Sequence, residues 1–185
     1  VMADRPWNIL VLCTGNSARS ILAEALFNAL GGGRVRAFSA GSRPAGKVNP
    51  LALELLEAQG LDTAGLRSKN WDEFAALGAP QLDLVVTVCG SAANEACPAW
   101  PGNFLRAHWG VDDPAAAEMA KAGSDDDRHA AFMKAYALLA ERILTFLSLS
   151  FETMDRAELQ RHLDEIGRAG AAAAVPQGLT FADDD

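Results

Sequence analysis

The chain has 185 residues, half of them hydrophobic and 22% charged, enough apolar material for one buried core. That composition excludes a disordered or a fibrous chain. With 16 lysines and arginines against 24 aspartates and glutamates the formal charge is -8, which argues against a nucleic-acid partner or an anionic membrane surface held by bulk positive charge. Any anionic ligand must then be captured by a local device. Val1 to Pro6 shows no basic segment followed by an apolar run, and no stretch approaches the ~20 apolar residues of a membrane helix. A cytoplasmic protein with no signal peptide and no membrane partner is expected.

In chain order, Asn8 to Cys13 is a continuous apolar run, as in a strand buried on both faces. Ser20 to Leu30 has helical spacing and ends at Gly31 to Gly33. Arg34 to Ala40 reads as a second strand. Asn49-Pro50 is an N-cap followed by proline at the first helical position, opening a helix to Gln59. Asn70 to Leu77 suits a short helix, Leu82 to Cys89 a third strand and Phe104 to Trp109 a fourth. A long helix is expected from about Asp126 to Leu149. Alternating strands and helices imply an α/β fold, a four-stranded parallel sheet with helices on both faces. This domain spans 1–150. The remainder, 151–185, carries a helix at about 155–168, opened by Asp155 and Glu158 as a capping box, and an Ala/Gly/Asp-rich tail expected to be disordered.

The segment Cys13-Thr14-Gly15-Asn16-Ser17-Ala18-Arg19-Ser20 joins the first strand to the first helix, at the sheet edge where such folds bind ligands. Small residues let successive N–H groups turn inward, the helix start adds partial positive charge, and Gly15 and Asn16 tolerate left-handed angles. Arg19 offers a planar fork for a tetrahedral oxyanion. These groups favour a thiolate at Cys13, with a pKa expected well below the free value. The alternative is a buried strand-end cysteine before an ordinary turn; glycine and asparagine inside a Cys-x5-Arg-Ser spacing argue against it. The other cysteines are Cys89, at a strand end, and Cys97, across a segment of small residues. With no CxxC, an odd count argues against a disulfide framework or a zinc site. Two thiols near a nucleophilic cysteine suit a disulfide relay. Asp113, before Pro114, can cap a helix, protonate a leaving oxygen, or do both. His108 and Trp109 read as packing residues, and His129 and His162 lack partners at metal-ligand spacing.

CTGNSARS, preceded by ILVL and followed by ILAEAL, resembles the phosphate loop of the low-molecular-weight protein tyrosine phosphatases. VTVC…CPAWPG and HWGVDDPA resemble more closely their relatives, the thioredoxin-coupled arsenate reductases. The chain departs from the phosphatases in having Ala115 and Ala116 where they usually carry tyrosines. It departs from the reductases in having Ala18 where they usually carry a cysteine, one that is not among the redox thiols.

The resemblance implies an arsenate reductase with no tightly bound cofactor. Arsenate, or phosphate or sulfate as an analogue, would bind at Thr14, Gly15, Asn16, Ser17, Ala18 and Arg19. Cys13 would be the nucleophile, Asp113 the acid, and Ser20 would keep Cys13 ionised. A Cys13–Cys89 disulfide would pass to Cys89–Cys97 and be reduced by thioredoxin. The family also implies a potassium ion at Asn16, Glu24, Ser39 and Asp72. A monomer is expected. Two alternatives stay open: a phosphomonoesterase using Cys13, Arg19 and Asp113 alone, and a non-catalytic oxyanion or redox sensor.

Overall fold

The computed structural model describes residues 5–95, 98–119 and 124–169. Four strands form one parallel sheet in the order β2-β1-β3-β4: β1 is Trp7–Leu12, β2 Val35–Ala40, β3 Leu84–Thr87 and β4 Leu105–His108. The central strands are the most apolar stretches of the chain, and Ile9 to Leu12 and Leu84 to Val86 are buried because neighbours cover both faces. β4 is an edge strand whose Leu105 and Ala107 are buried while Arg106 and His108 are exposed.

The helices are α1 Arg19–Leu30, α2 Pro50–Ala58, α3 Gly90–Asn94, α4 Pro114–Met119, α5 Asp125–Leu147 and α6 Arg156–Arg168, with a 3-10 turn at Trp71–Ala75. Every residue from Ser20 to Phe27 is buried. α1 is enclosed all round because α5 packs over it while the sheet holds its other side. Between them Phe27, Trp109, Phe146 and Phe151 form an aromatic chain, with Phe146 stacked on Phe151 at 4.5 Å. Asn49 caps α2 as expected, its side chain accepting from the Leu51 N–H.

Some boundaries differ from the sequence expectation. β3 ends at Thr87, and Cys89 instead caps α3, a short helix that the run of small residues concealed. α5 begins one residue early because Ser124 and Asp127 form a capping box. α6 ends at Arg168, as expected, and the expected tail at 170–185 lies outside the described residues. Leu159, Leu163 and Ile166 are buried where α6 lies against β4 and α5.

β2 pairs with one side of β1 and β3 with the other, so successive connections leave β1 in opposite directions. This is the topological switch point, and crevices for ligands open there beyond the strand ends. Gly41, just past β2, packs against that crevice. Its N–H donates to the Lys69 carbonyl at 3.0 Å, and a Cβ there would run into the carbonyl oxygens of Cys13 and Thr14. Gly41→Ala is therefore expected to lower stability by about 2 kcal/mol through backbone displacement, measured by urea unfolding.

Candidate active site

The loop from Cys13 to Ser20 lies in the switch-point crevice, and its conformation follows from where its carbonyls go. The Thr14 carbonyl accepts from the Arg43 N–H at 3.0 Å, that of Gly15 from Ala45 at 2.9 Å, and that of Ser17 from Asn49 at 2.8 Å. Ser68 Oγ also donates to the Gly15 carbonyl, at 3.2 Å. A planar trans peptide puts the following N–H on the opposite side. Those of Gly15, Asn16 and Ala18 thus face away from the supporting segments, as an anion nest requires. Asn16 makes the turn at φ 43 and is fully buried. Its amide donates to Ser20 Oγ at 2.8 Å and accepts from the Lys69 N–H at 2.9 Å. Ala18 is the N-cap of α1 and supplies no side-chain bond, which keeps the helix start available to a ligand.

Cys13 and Cys89, just beyond the ends of the adjacent strands β1 and β3, are both free and buried. Their thiols neighbour each other. Cys89 Sγ also accepts from the N–H groups of Thr14 and Ala92, each at 3.4 Å, and lies 3.6 Å from Thr14 Oγ1. The neighbouring Cys13 thiol is the main reason that the Cys89 pKa falls to about 5, the N–H donors adding to it against the opposing effect of burial. Cys89, followed by burial, pushes Cys13 up, while the Arg19 charge and the Gly15 N–H pull it down. The two thiols are coupled: the Arg19 charge and the Gly15 N–H favour a thiolate at Cys13, while the Thr14 and Ala92 N–H groups favour one at Cys89.

Arg19 donates from Nη1 to the Val111 carbonyl at 2.9 Å, and its Nη2 is 3.8 Å from Asp113 Oδ2. Asp113 also accepts from the Ala115 N–H at 3.0 Å, so it caps α4 and faces the site at once. Thr14 Oγ1 donates to Glu95 at 3.3 Å, a carboxylate hidden from sequence reading in the small-residue segment. Cys97 lies outside the described residues. Trp100 fixes the chain just beyond it: buried, it donates from Nε1 to the Trp71 carbonyl at 3.2 Å.

The residues expected to hold potassium are only partly together. Glu24 and Ser39 are buried and meet where the Ser39 N–H donates to Glu24 Oε1 at 3.1 Å, with Asn16 in the adjoining loop. Asp72 is exposed on the 3-10 turn, its N–H bonded to Asn70. The positive charge beside Glu24 is the buried Lys69 ammonium, at 3.9 Å. Lys69 faces Glu24 Oε1, while Glu24 Oε2 and Ser39 Oγ are buried with no hydrogen-bond partner. Among the described residues no group of three or more acidic, histidine or cysteine side chains could hold a metal ion. Burial pushes the Glu24 carboxyl up and the Lys69 ammonium down, and their attraction opposes both. Sequence reading missed Lys69 because Arg67 to Asn70 is a polar run without periodicity.

Fold and loop together define the class, a doubly wound α/β protein with a Cys-x5-Arg anion loop at its switch point. The chain belongs to the low molecular weight phosphotyrosine protein phosphatase family, whose model matches residues 8–163. It is 41% identical over 138 residues to an arsenate reductase of Halalkalibacterium halodurans, covering 75% of this chain and 93% of that protein. The crystal structure of arsenate reductase from Archaeoglobus fulgidus superposes with a TM-score of 0.57 at 29% identity, over 76% of this chain and 99% of that one. A thioredoxin-dependent arsenate reductase of Corynebacterium glutamicum shares the fold, with a TM-score of 0.54 at 24% identity, over 80% of this chain and 65% of that one.

Two measurements probe these contacts. Cys13→Ala removes the neighbouring thiol that contributes most to the Cys89 shift, so the Cys89 midpoint is expected to rise from about 5 toward the free-thiol value of about 8.5, read from thiolate absorbance against pH. Lys69→Met leaves a buried carboxylate without its cation and should cost about 3 kcal/mol in urea unfolding, with Glu24→Gln in the same chain recovering most of the loss.

Proposed function

We propose that the chain reduces arsenate to arsenite, with Cys13, Cys89 and Cys97 as a disulfide relay and thioredoxin as the reductant, acting as a monomer in the reducing cytoplasm. The observation that carries this reading is a second buried free thiol at the anion loop: Cys89 Sγ accepts from the N–H of Thr14, the residue after Cys13, at 3.4 Å. A phosphatase has no use for a second thiol there, and Ala115 and Ala116 follow Pro114 where tyrosines would suit an aryl ester.

Arsenate enters with its oxygens on the loop N–H groups and the Arg19 fork. Cys13 Sγ attacks arsenic, and the proton it shared passes to Cys89. Asp113 gives its proton to the departing oxygen, which leaves as water. Ser20, whose Oγ accepts from Asn16, keeps its own hydroxyl proton to donate to Cys13 and steady its charge. Cys89 Sγ next attacks Cys13 Sγ. The sulfur–arsenic bond breaks with its electron pair going to arsenic, now trivalent, and the Cys89 proton ends on an arsenite oxygen. Cys97 then attacks Cys89, freeing Cys13 and leaving a Cys89–Cys97 disulfide for thioredoxin to exchange. Two electrons leave the thiols and two reach arsenic.

The test is arsenate-dependent NADPH oxidation with thioredoxin and thioredoxin reductase. Cys13→Ser and Cys89→Ser are expected to abolish turnover, and Cys97→Ser to allow one equivalent of arsenite at most. Sustained turnover by Cys97→Ser would overturn the relay. Aryl phosphate hydrolysis needing only Cys13, with no arsenate reduction, would make the protein a phosphomonoesterase. Tight oxyanion binding without either activity would make it a sensor.

A further inference from the structure

Arg142 takes no part in the reaction above, yet it is the one arginine of α5 that is buried, at 3% exposure. Its guanidinium meets backbone carbonyls. Nη1 donates to Gly110 at 2.8 Å, and Nη2 to Gly167 at 3.4 Å and Ala169 at 3.1 Å. The last two belong to the C-terminal end of α6, where aligned peptide dipoles favour a cation. Gly110 lies three residues before Asp113.

The stretch between them is held at successive points. The Trp109 N–H donates to the Thr87 carbonyl at 2.8 Å, and that of Val111 to Val88 at 2.9 Å. Trp109 Nε1 donates to the Leu163 carbonyl of α6 at 3.1 Å. Arg19 holds the Val111 carbonyl, but in the proposed reaction it must turn its fork to the oxyanion. Arg142 holds the neighbouring Gly110 carbonyl, is buried, and is anchored in turn on the last carbonyls of α6. α6 comes close enough to provide this because Gly167 has no side chain: a Cβ there would strike the His108 carbonyl oxygen and crowd Trp109.

We propose that Arg142 is a positioning residue for Asp113, bracing the acid's loop at Gly110 against the carboxyl end of α6. This rests on the reading of Asp113 as the proton donor. A donor displaced by a fraction of an ångström loses rate without losing substrate affinity.

The experiment is a double-mutant cycle. Arg142→Met keeps an unbranched stem and removes all three hydrogen bonds; it is made in the natural chain and with Asp113→Asn. In the natural chain kcat for arsenate reduction is expected to fall about 10-fold with KM little changed, and Arg142→Lys to restore part of it. With Asp113→Asn present, Arg142→Met is expected to lower the rate no further, which a merely structural role would not produce. The same factor in both backgrounds, no effect at all, or a rise in KM matching the loss would overturn the proposal. So would an Asp113→Asn protein as active as the natural one. If Arg142→Met shows no cooperative melting, Gly167→Ala, which pushes α6 off β4, takes its place in the cycle with the same criteria. If the natural chain hydrolyses aryl phosphate and does not reduce arsenate, the reductase reading fails, and the cycle is run on that hydrolysis, which draws on the same proton donor.

Discussion

A backbone loop can present several N–H groups to one anion only if the carbonyls on its other side are satisfied elsewhere. Here the carbonyls of Thr14, Gly15 and Ser17 are taken by Arg43, Ala45 and Asn49, all from the segment that follows β2. Asn16 adds a tie to Lys69 and Gly41 a close backbone approach. The cradle is therefore built by two chain segments with little catalytic chemistry of their own. Its preorganisation does not wait for a ligand, so an arriving oxyanion meets donors already aimed.

The same switch point accounts for the thiol chemistry. Because β1 and β3 are neighbours in register, with Leu12 opposite Thr87, the residues that follow them converge. Two sulfurs in hydrogen-bond contact share a proton, and its location is set by which one receives more donors. Two N–H groups point at Cys89 beside the Cys13 thiol and favour a thiolate there. In the proposed reaction this makes Cys89 the acceptor of the Cys13 proton in the first step and the nucleophile of the second. An oxyanion bound on the loop would draw the two roles apart in time, since the attack by Cys13 must precede any attack on it.

Sequence carried the elements with strong periodicity or capping. The buried runs of β1 and β3, the Asn49-Pro50 helix start and the Leu159, Leu163, Ile166 stripe of α6 stand close to where their patterns put them. The loop residues and Asp113 were legible because their types and spacing are unusual. What escaped depends on tertiary contact. Lys69 is an ordinary polar residue until the fold buries it beside Glu24, and Arg142 an ordinary helix residue until α6 closes over it. The coupling of the Cys13 and Cys89 thiols escaped for the same reason. A motif shows the charges around one cysteine, whereas the coupling depends on the neighbour that β3 brings up beside β1.

The overall charge of -8 bears on what such a site can select. At a distance the molecule repels anions, and only within the crevice do the N–H groups and Arg19 outweigh that field. Capture is thus short-ranged and geometric, which favours a compact tetrahedral oxyanion over a larger acidic molecule. The same arrangement helps the product to leave. Arsenous acid is uncharged near neutral pH and no longer matches a cradle built for negative oxygens, so the affinity that gathered the substrate is absent for what remains.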